Sequence, residues 1–276
     1  MQKYMAAVCQ MDSQDNKEKN LKTVERLISE AAGNGAQLIV LPETMNYMGP
    51  DPQSAAEQIP GETSIFLGRK AKEHGVWIAG GTMQEILGDR LPKNTMLLIG
   101  PDGAVCAKYS KLHMFDVQIE GGASSRESAV NTPGSKIVTV QTPLGMIGMA
   151  VCYDIRFPEL FRLLALSGAQ IICVPASFTR KTVQAHWETL LRARAIENGV
   201  YILAANQIGV KPTMTAGGHS MIIDPWGRVL AEAGEETGCI YTQIDLDYLD
   251  SVRHQIPSLK NRRTDVYRLE GTPALL

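Results

Sequence analysis

Cys152, Glu43 and Lys111 are the residues of this 276-residue chain whose types and settings could together perform covalent chemistry. Cys152 ends the apolar run Met146-Ile147-Gly148-Met149-Ala150-Val151, and Pro158 follows where a helix would begin and its missing N–H costs nothing. A free thiol has a pKa near ~8.5, so little of it is the nucleophilic thiolate at neutral pH unless a base or a cation lies beside it. Glu43, directly after Leu41-Pro42, offers the base. Lys111 offers a cation that would favour the thiolate and then stabilise the oxyanion on an attacked carbonyl, assisted by the backbone N–H of Tyr153 at the turn. Taken singly, each has a structural explanation: free cysteines are commonly core residues, and a lone charge after a strand is commonly solvated.

Strand ends must deliver these three groups, because open α/β sheets handle ligands at the carboxyl ends of their strands. The pattern predicts a strand over Tyr4–Gln10, a helix capped by Asp15 or Asn16 with Leu21, Val24, Leu27, Ile28 and Ala31 on one face, and a strand over Gln37–Leu41. A second helix, capped by Ser64, is expected to reach His74-Gly75, followed by a strand over Val76–Gly80. Strands over Asn94–Ile99 and Ala104–Tyr109 flank the turn Gly100-Pro101-Asp102-Gly103, and the second runs into Lys111. Residues 112–135, with Gly121-Gly122 and Pro133-Gly134, read as a long surface loop holding Glu127.

A hairpin of Lys136–Val140 and Met146–Val151 then leads to Cys152. Next are expected a helix over Pro158–Ser167, a strand over Gln170–Val174, a helix over Ala185–Asn198 and a strand over Val200–Asn206. Strands over Gly218–Ile223, Arg228–Glu232 and Cys239–Ile244 and a helix over Leu246–Gln255 complete an α/β pattern with mixed strands. Without linker, low-complexity tract or repeat, residues 1–276 read as one domain, and 257–276, including Pro273, as a tail without a core pattern that packs elsewhere or on a second subunit.

A net charge of -2, from 27 basic and 29 acidic residues, excludes nucleic-acid binding by gross electrostatics. Five scattered cysteines without CxxC spacing suggest neither a disulfide framework nor a zinc site, and read as reduced thiols. The segment Met1–Cys9 lacks the features of a signal peptide, and no apolar run approaches the ~18 residues of a membrane span, so a cytoplasmic protein is expected.

Leu41-Pro42-Glu43, Tyr109–Asp116 and Ala150–Glu159 together resemble, in order, spacing and residue type, the Glu-Lys-Cys motifs of the nitrilase superfamily, the carbon–nitrogen hydrolases. The likeness runs from about residue 4 to residue 268. Arg126-Glu127-Ser128 is similar to the family's second glutamate, which lies beside the catalytic lysine. Ala185–Glu188, Arg192–Asn198, Gly218–Met221 and Asp224–Gly227 resemble the amidase branch that contains omega-amidase and deaminated glutathione amidase. The resemblance implies a four-layer α-β-β-α sandwich with mixed sheets, a homodimer or larger homo-oligomer, no metal or organic cofactor, and hydrolysis of a small carboxylate-bearing amide through a thioester on Cys152.

Arg180 and Lys181, adjacent cations after a strand end, are candidates to bind the substrate carboxylate. Thr182 is followed by Val183 where this branch commonly has glycine, so the local loop shape departs from the family. His113, His186 and His219 lack metal-ligand spacing and read as structural, as do Arg192 and Arg194, while Cys9, Cys106, Cys173 and Cys239 read as core residues. Acyl transfer to an amine, nitrile hydrolysis, and a non-catalytic metabolite-binding or redox-sensing protein are the competing readings.

Overall fold

The computed structural model describes residues 3–88, 90–118, 124–212 and 214–272, which leaves the Gly121-Gly122 pair, Pro273 and the first two residues outside the described residues. The first half runs β1 (Lys3–Gln10), α1 (Lys17–Gly33), β2 (Ala36–Val40), α2 (Glu62–His74), β3 (Trp77–Glu85), β4 (Lys93–Ile99), β5 (Val105–Ser110) and the short pair β6 (Asp116–Gln118) and β7 (Ser124–Arg126). The second half runs β8 (Thr139–Thr142), β9 (Gly145–Met149), α3 (Pro158–Leu166), β10 (Ile171–Ala176), the single turn α4 (Arg180–Thr182), α5 (Glu188–Asn198) and β11 (Tyr201–Asn206). It continues through the β12 (Ile208–Val210) and β13 (Thr215–Gly217) pair to β14 (Met221–Ile223), β15 (Val229–Glu232), β16 (Gly238–Asp245) and α6 (Leu246–Gln255).

Among the described residues, two six-stranded sheets form, ordered β16-β1-β2-β3-β4-β5 and β15-β14-β11-β10-β9-β8. Each has a parallel centre, β1-β2-β3 or β9-β10-β11, flanked by antiparallel strands. Alternation along β1 explains the layering: Tyr4, Ala6 and Val8 enter the core shared with the second sheet, whereas Ala7 and Cys9 pack with α1 and α2. Leu38 and Val40 of β2 likewise face the second sheet, and Ile39 faces the helices. On the far side Phe161 and Leu164 of α3 and Leu191 and Ala195 of α5 cover the second sheet. Helix, sheet, sheet, helix is the four-layer sandwich expected from the resemblance, with each fully buried Leu, Ile or Phe worth roughly 1.5–3 kcal/mol. No helix among the described residues is long and apolar enough to cross a membrane.

Of the two residues expected to cap α1, Asn16 is the one that does, its Oδ1 accepting the Lys19 N–H at 2.9 Å. Several other expectations need correction. Ser64 does not cap α2: the cap is Gly61, and Ser64 lies inside the first turn, where its Oγ accepts the Gly61 N–H at 2.8 Å. β3 does not stop at Gly80 but continues to Glu85, because Gly81, at φ 59°, makes a bulge in the pairing with β4. The stretch 112–135 is not wholly loop, since it contains β6 and β7. The predicted strand over Lys136–Val140 is displaced to Thr139–Thr142, and the Ile137 N–H instead donates to Thr272 O at 2.9 Å, so the described end of the tail returns to its own chain. A wide π-type turn, Val183–Trp187, precedes α5, which therefore starts at Glu188. Cys106 is exposed: on edge strand β5 it shares the outward face with Lys108, while Ala107 and Tyr109 point inward.

Candidate active site

Glu43 is held at the tip of β2 by backbone contacts on every side. The Leu41 N–H extends the pairing to Ala79 O at 3.0 Å, the Thr44 N–H donates to Thr82 Oγ1 at 2.8 Å, and the Glu43 carbonyl accepts Gln207 Nε2 at 2.8 Å. Gly81 is required beside this tip because a Cβ there would lie 2.2 Å from Pro42 O. Lys111 follows β5, its N–H donating to Asn94 O at 2.9 Å and its carbonyl accepting the Gly134 N–H at 2.8 Å. Cys152 follows β9 and opens a tight turn through Arg156, with φ at 50°, a conformation rare for a residue with a side chain. Glu43 and Lys111 thus come from one sheet and Cys152 from the other.

Their side chains meet between the sheets. Glu43 Oε1 accepts Lys111 Nζ at 3.2 Å and Asn94 Nδ2 at 2.8 Å. Lys111 Nζ also donates to Glu127 Oε2 at 2.8 Å, and that oxygen accepts the Phe115 N–H at 2.7 Å. Glu43, Lys111 and Cys152 are 5%, 2% and 7% exposed, so water screens their charges poorly. Burial opposes the Lys111 charge, but Glu43, Glu127 and Cys152 outweigh it and hold the ammonium protonated, its pKa well above the usual lysine value. Burial, then the charge of Glu43 and its hydrogen bond, push the Cys152 thiol well above its usual value, against the pull of Lys111 and of the Ser177 backbone N–H. The resting sulfur is therefore a thiol facing a carboxylate that can take its proton.

A cavity of about 430 Å³ opens onto the group. Its lining includes Glu43, Lys111, Cys152 and Glu127, together with Tyr47, Met48, Phe115, Phe178 and Met214. Besides Lys111, the cations among its described lining residues are Arg126 and Arg156. Arg156 lies 5.7 Å from the Tyr153 ring centroid and 5.4 Å from that of Phe178, with its Nη2 3.3 Å from His186 Nδ1. Arg180 and Lys181 are exposed and do not line the cavity; Thr179, the cap of α4, and Thr182, at its end, do. Tyr153, whose peptide follows Cys152, packs edge-on against Phe115 and Phe157.

Three residues without an assigned role in the sequence reading organise the site. Asn94 donates to Glu43 and, at 3.5 Å, to Glu127. Asp154, wholly buried, accepts from the Val151 N–H at 2.8 Å, Tyr109 Oη at 2.6 Å and the His113 N–H at 3.1 Å, and pairs with His113 Nδ1 at 2.7 Å. It thereby ties the turn of Cys152 to the strand and loop that flank Lys111, and His113 stacks on Phe157 with centroids 3.5 Å apart. Gln207, after β11, donates to Glu43 O and to Ser13 Oγ. The remaining structural readings hold: His219 Nδ1 pairs with Glu232 at 2.6 Å, Arg192 with Glu188 at 3.1 Å, and Arg194 with Glu197 at 3.0 Å and Ile155 O at 2.8 Å.

Residues 5–254, nearly the whole of both sheets with every residue of this cluster, match the model of the carbon–nitrogen hydrolase family, and the chain belongs to that family. Its relatives place it in the amidase branch of the nitrilase superfamily. It is 40% identical to "Omega-amidase NIT2" of Danio rerio over 98% of this chain and 99% of that one, and 41% identical to "Deaminated glutathione amidase" of Bos taurus over 98% and 85%. In three dimensions it is similar to the crystal structure of the Caenorhabditis elegans NitFhit protein, with a TM-score of 0.91, 36% identity, and coverage of 99% of this chain and 68% of that one.

Proposed function

We propose that this protein is a cysteine amidase that hydrolyses the terminal amide of a small carboxylate-bearing substrate to acid and ammonia. The carrying observation is the buried Cys152 thiol facing Glu43 and Lys111 at the floor of a cavity that Arg156 also lines. Glu43 takes the thiol proton as the sulfur bonds to the amide carbon. The carbonyl oxygen, now negative, is stabilised by Lys111 with the backbone N–H groups of Tyr153 and Ser177. Collapse of this adduct breaks the C–N bond, the proton held by Glu43 goes to the departing nitrogen, and ammonia leaves a thioester. Water, deprotonated by Glu43, attacks the thioester, the C–S bond breaks, and the acid departs with the thiol restored. Glu127 holds Lys111 at its station, a role its 2.8 Å contact supports.

The substrate carboxylate pairs with Arg156, whose guanidinium is kept in place by the Tyr153 and Phe178 rings and offers a planar two-point contact. This reading replaces Arg180 and Lys181 as the carboxylate anchor. A substrate of deaminated-glutathione type leads, supported by the branch-like motifs and by the relative named deaminated glutathione amidase, and an alpha-keto omega-amide is the second reading, supported by the relatives named omega-amidase. Exposed Ile196 and Trp226, carried by α5 and the turn before β15, support self-association as part of the proposal, and the reduced cysteines suit a cytoplasmic setting.

Ammonia release measured with both amides and a simple aliphatic nitrile tests the assignment. Amide turnover that vanishes in Cys152→Ala, with KM raised in Arg156→Met, is the expected result; a nitrile rate equal to or above the amide rates would refute it.

A further inference from the structure

Away from this site, a second pair of thiols is placed for chemistry. Cys9 of β1 and Cys239 of β16 are direct partners across the antiparallel pairing, on the face that α1 covers, and their sulfurs lie 3.4 Å apart. Partner Cα atoms in such pairings are about 4.5–5.5 Å apart, within the roughly 4.4–6.8 Å that a disulfide spans, so the bond needs rotation of side chains and no movement of strands. The two thiols differ in access. Cys9 is wholly buried, whereas Cys239 is half-buried and reachable from solvent.

We propose that Cys9 and Cys239 are a peroxide-responsive dithiol that oxidises to a reversible disulfide independently of Cys152. Cys239 reacts first. The hydrogen bond from Cys9 holds the Cys239 thiol below its usual pKa and raises that of Cys9, so the thiolate forms at the accessible sulfur. Its attack on hydrogen peroxide makes the S–O bond, breaks the O–O bond and leaves hydroxide, which takes a proton to become water; the sulfur loses two electrons and becomes a sulfenic acid. The Cys9 sulfur then attacks the Cys239 sulfur, the S–S bond forms as the S–O bond breaks, and the departing hydroxide carries the Cys9 proton away as a second water. In sum, two thiols and one hydrogen peroxide give one disulfide and two waters.

The contrast with the other cysteines makes the pair specific. Cys106 is exposed but has no thiol across from it in the pairing of β4 with β5, where its neighbours on β4 are Leu98 and Ile99. Cys173 is wholly buried within the second sheet. A resolving thiol at 3.4 Å stops oxidation of Cys239 at the disulfide, before the irreversible sulfinic acid. The product would clamp β16, the outer strand of the first sheet, to β1, the strand through which the amino-terminal segment enters it.

The full-length protein is treated with hydrogen peroxide, its remaining thiols are blocked, and it is digested without reduction for mass spectrometry. A peptide joining residues 9 and 239, two hydrogens lighter than its parts, lost on adding dithiothreitol and absent from Cys239→Ser, is the expected result. Cys239→Ser changes a half-buried position and leaves the core sulfur of Cys9 in place, so it keeps the test sound if Cys9→Ser fails to fold. Recovery of both peptides unlinked while Cys106 or Cys152 is oxidised would overturn the proposal, as would Cys239 recovered as sulfinic acid beside a free Cys9 thiol.

Discussion

Asp154 shows how much of a reactive cysteine's behaviour is decided by a residue that never meets the substrate. Four donors converge on its two oxygens, and Asp154 itself is wholly buried. Asparagine has the same shape but only one accepting oxygen, and its amide hydrogens would face other donors. Leaving a buried donor without an acceptor costs about 1–3 kcal/mol. Asp154→Asn should therefore lose about 2–3 kcal/mol in urea unfolding and lower kcat with KM little changed, because the turn bearing Cys152 loses its register against Lys111. Tyr109→Phe, which removes a single donor, should cost about 1 kcal/mol and leave most turnover. If Asp154→Asn raised KM at constant kcat, the residue would belong to substrate binding instead. Asp154 was in plain view in the sequence, two residues after Cys152, yet its role was not legible there, since it depends on Tyr109 and His113 arriving from another sheet.

At the scale of elements, strand tips place the chemistry, and the bulge in β3 shows how. Gly81 turns the backbone through positive φ and leaves the Pro42 carbonyl the room that a side chain would take. Gly81→Ala should cost roughly 1–3 kcal/mol through backbone strain and lower kcat as well, since the displaced carbonyl is one residue from Glu43; a thermal melt and steady-state rates on one preparation check both. Full turnover in a destabilised Gly81→Ala would show that Glu43 is positioned from elsewhere. The same feature marks the limit of reading strands by pattern: a Gly-Gly pair looks like an end, and only the pairing with β4 reveals a strand that bends and continues. Alternation along β1 and β2 was legible, as were the abrupt polar ends after β2, β5 and β9 where Glu43, Lys111 and Cys152 stand. Asn94 was within reach too, because a β4–β5 hairpin with Thr95 opposite Ser110 puts Asn94 beside Lys111. Strands as short as β6 and β7 carry too little period to register. Arg180 and Lys181 lie exposed outside the cavity lining, while Thr179 and Thr182 on either side of them line it, a division that a single helical turn is too short to show as a sequence period.

For the molecule as a whole, the densely packed core makes stability sensitive to alkali. Burial raises the Cys173 thiol from about 9 to about 12, so the folded protein keeps a proton that the unfolded chain releases. With the folded pKa the higher, this group's contribution is complete below its unfolded value and is lost as pH climbs toward the folded one, at about 1.4 kcal/mol per pH unit. The unfolding free energy should begin to fall above about pH 9, and Cys173→Ala should flatten that decline by one group's slope despite a lower starting stability; an unchanged slope in urea titrations at several pH values would rule this out. The two sheets bear on something else besides stability. With base and cation on one layer and nucleophile on the other, a slight slide of one sheet past its neighbour would part Glu43 from Cys152 while sparing every hydrogen bond within either layer. Turnover is thus a gauge of alignment between layers, and a molecule held at once by Lys111 and Cys152 acts as a rivet through them.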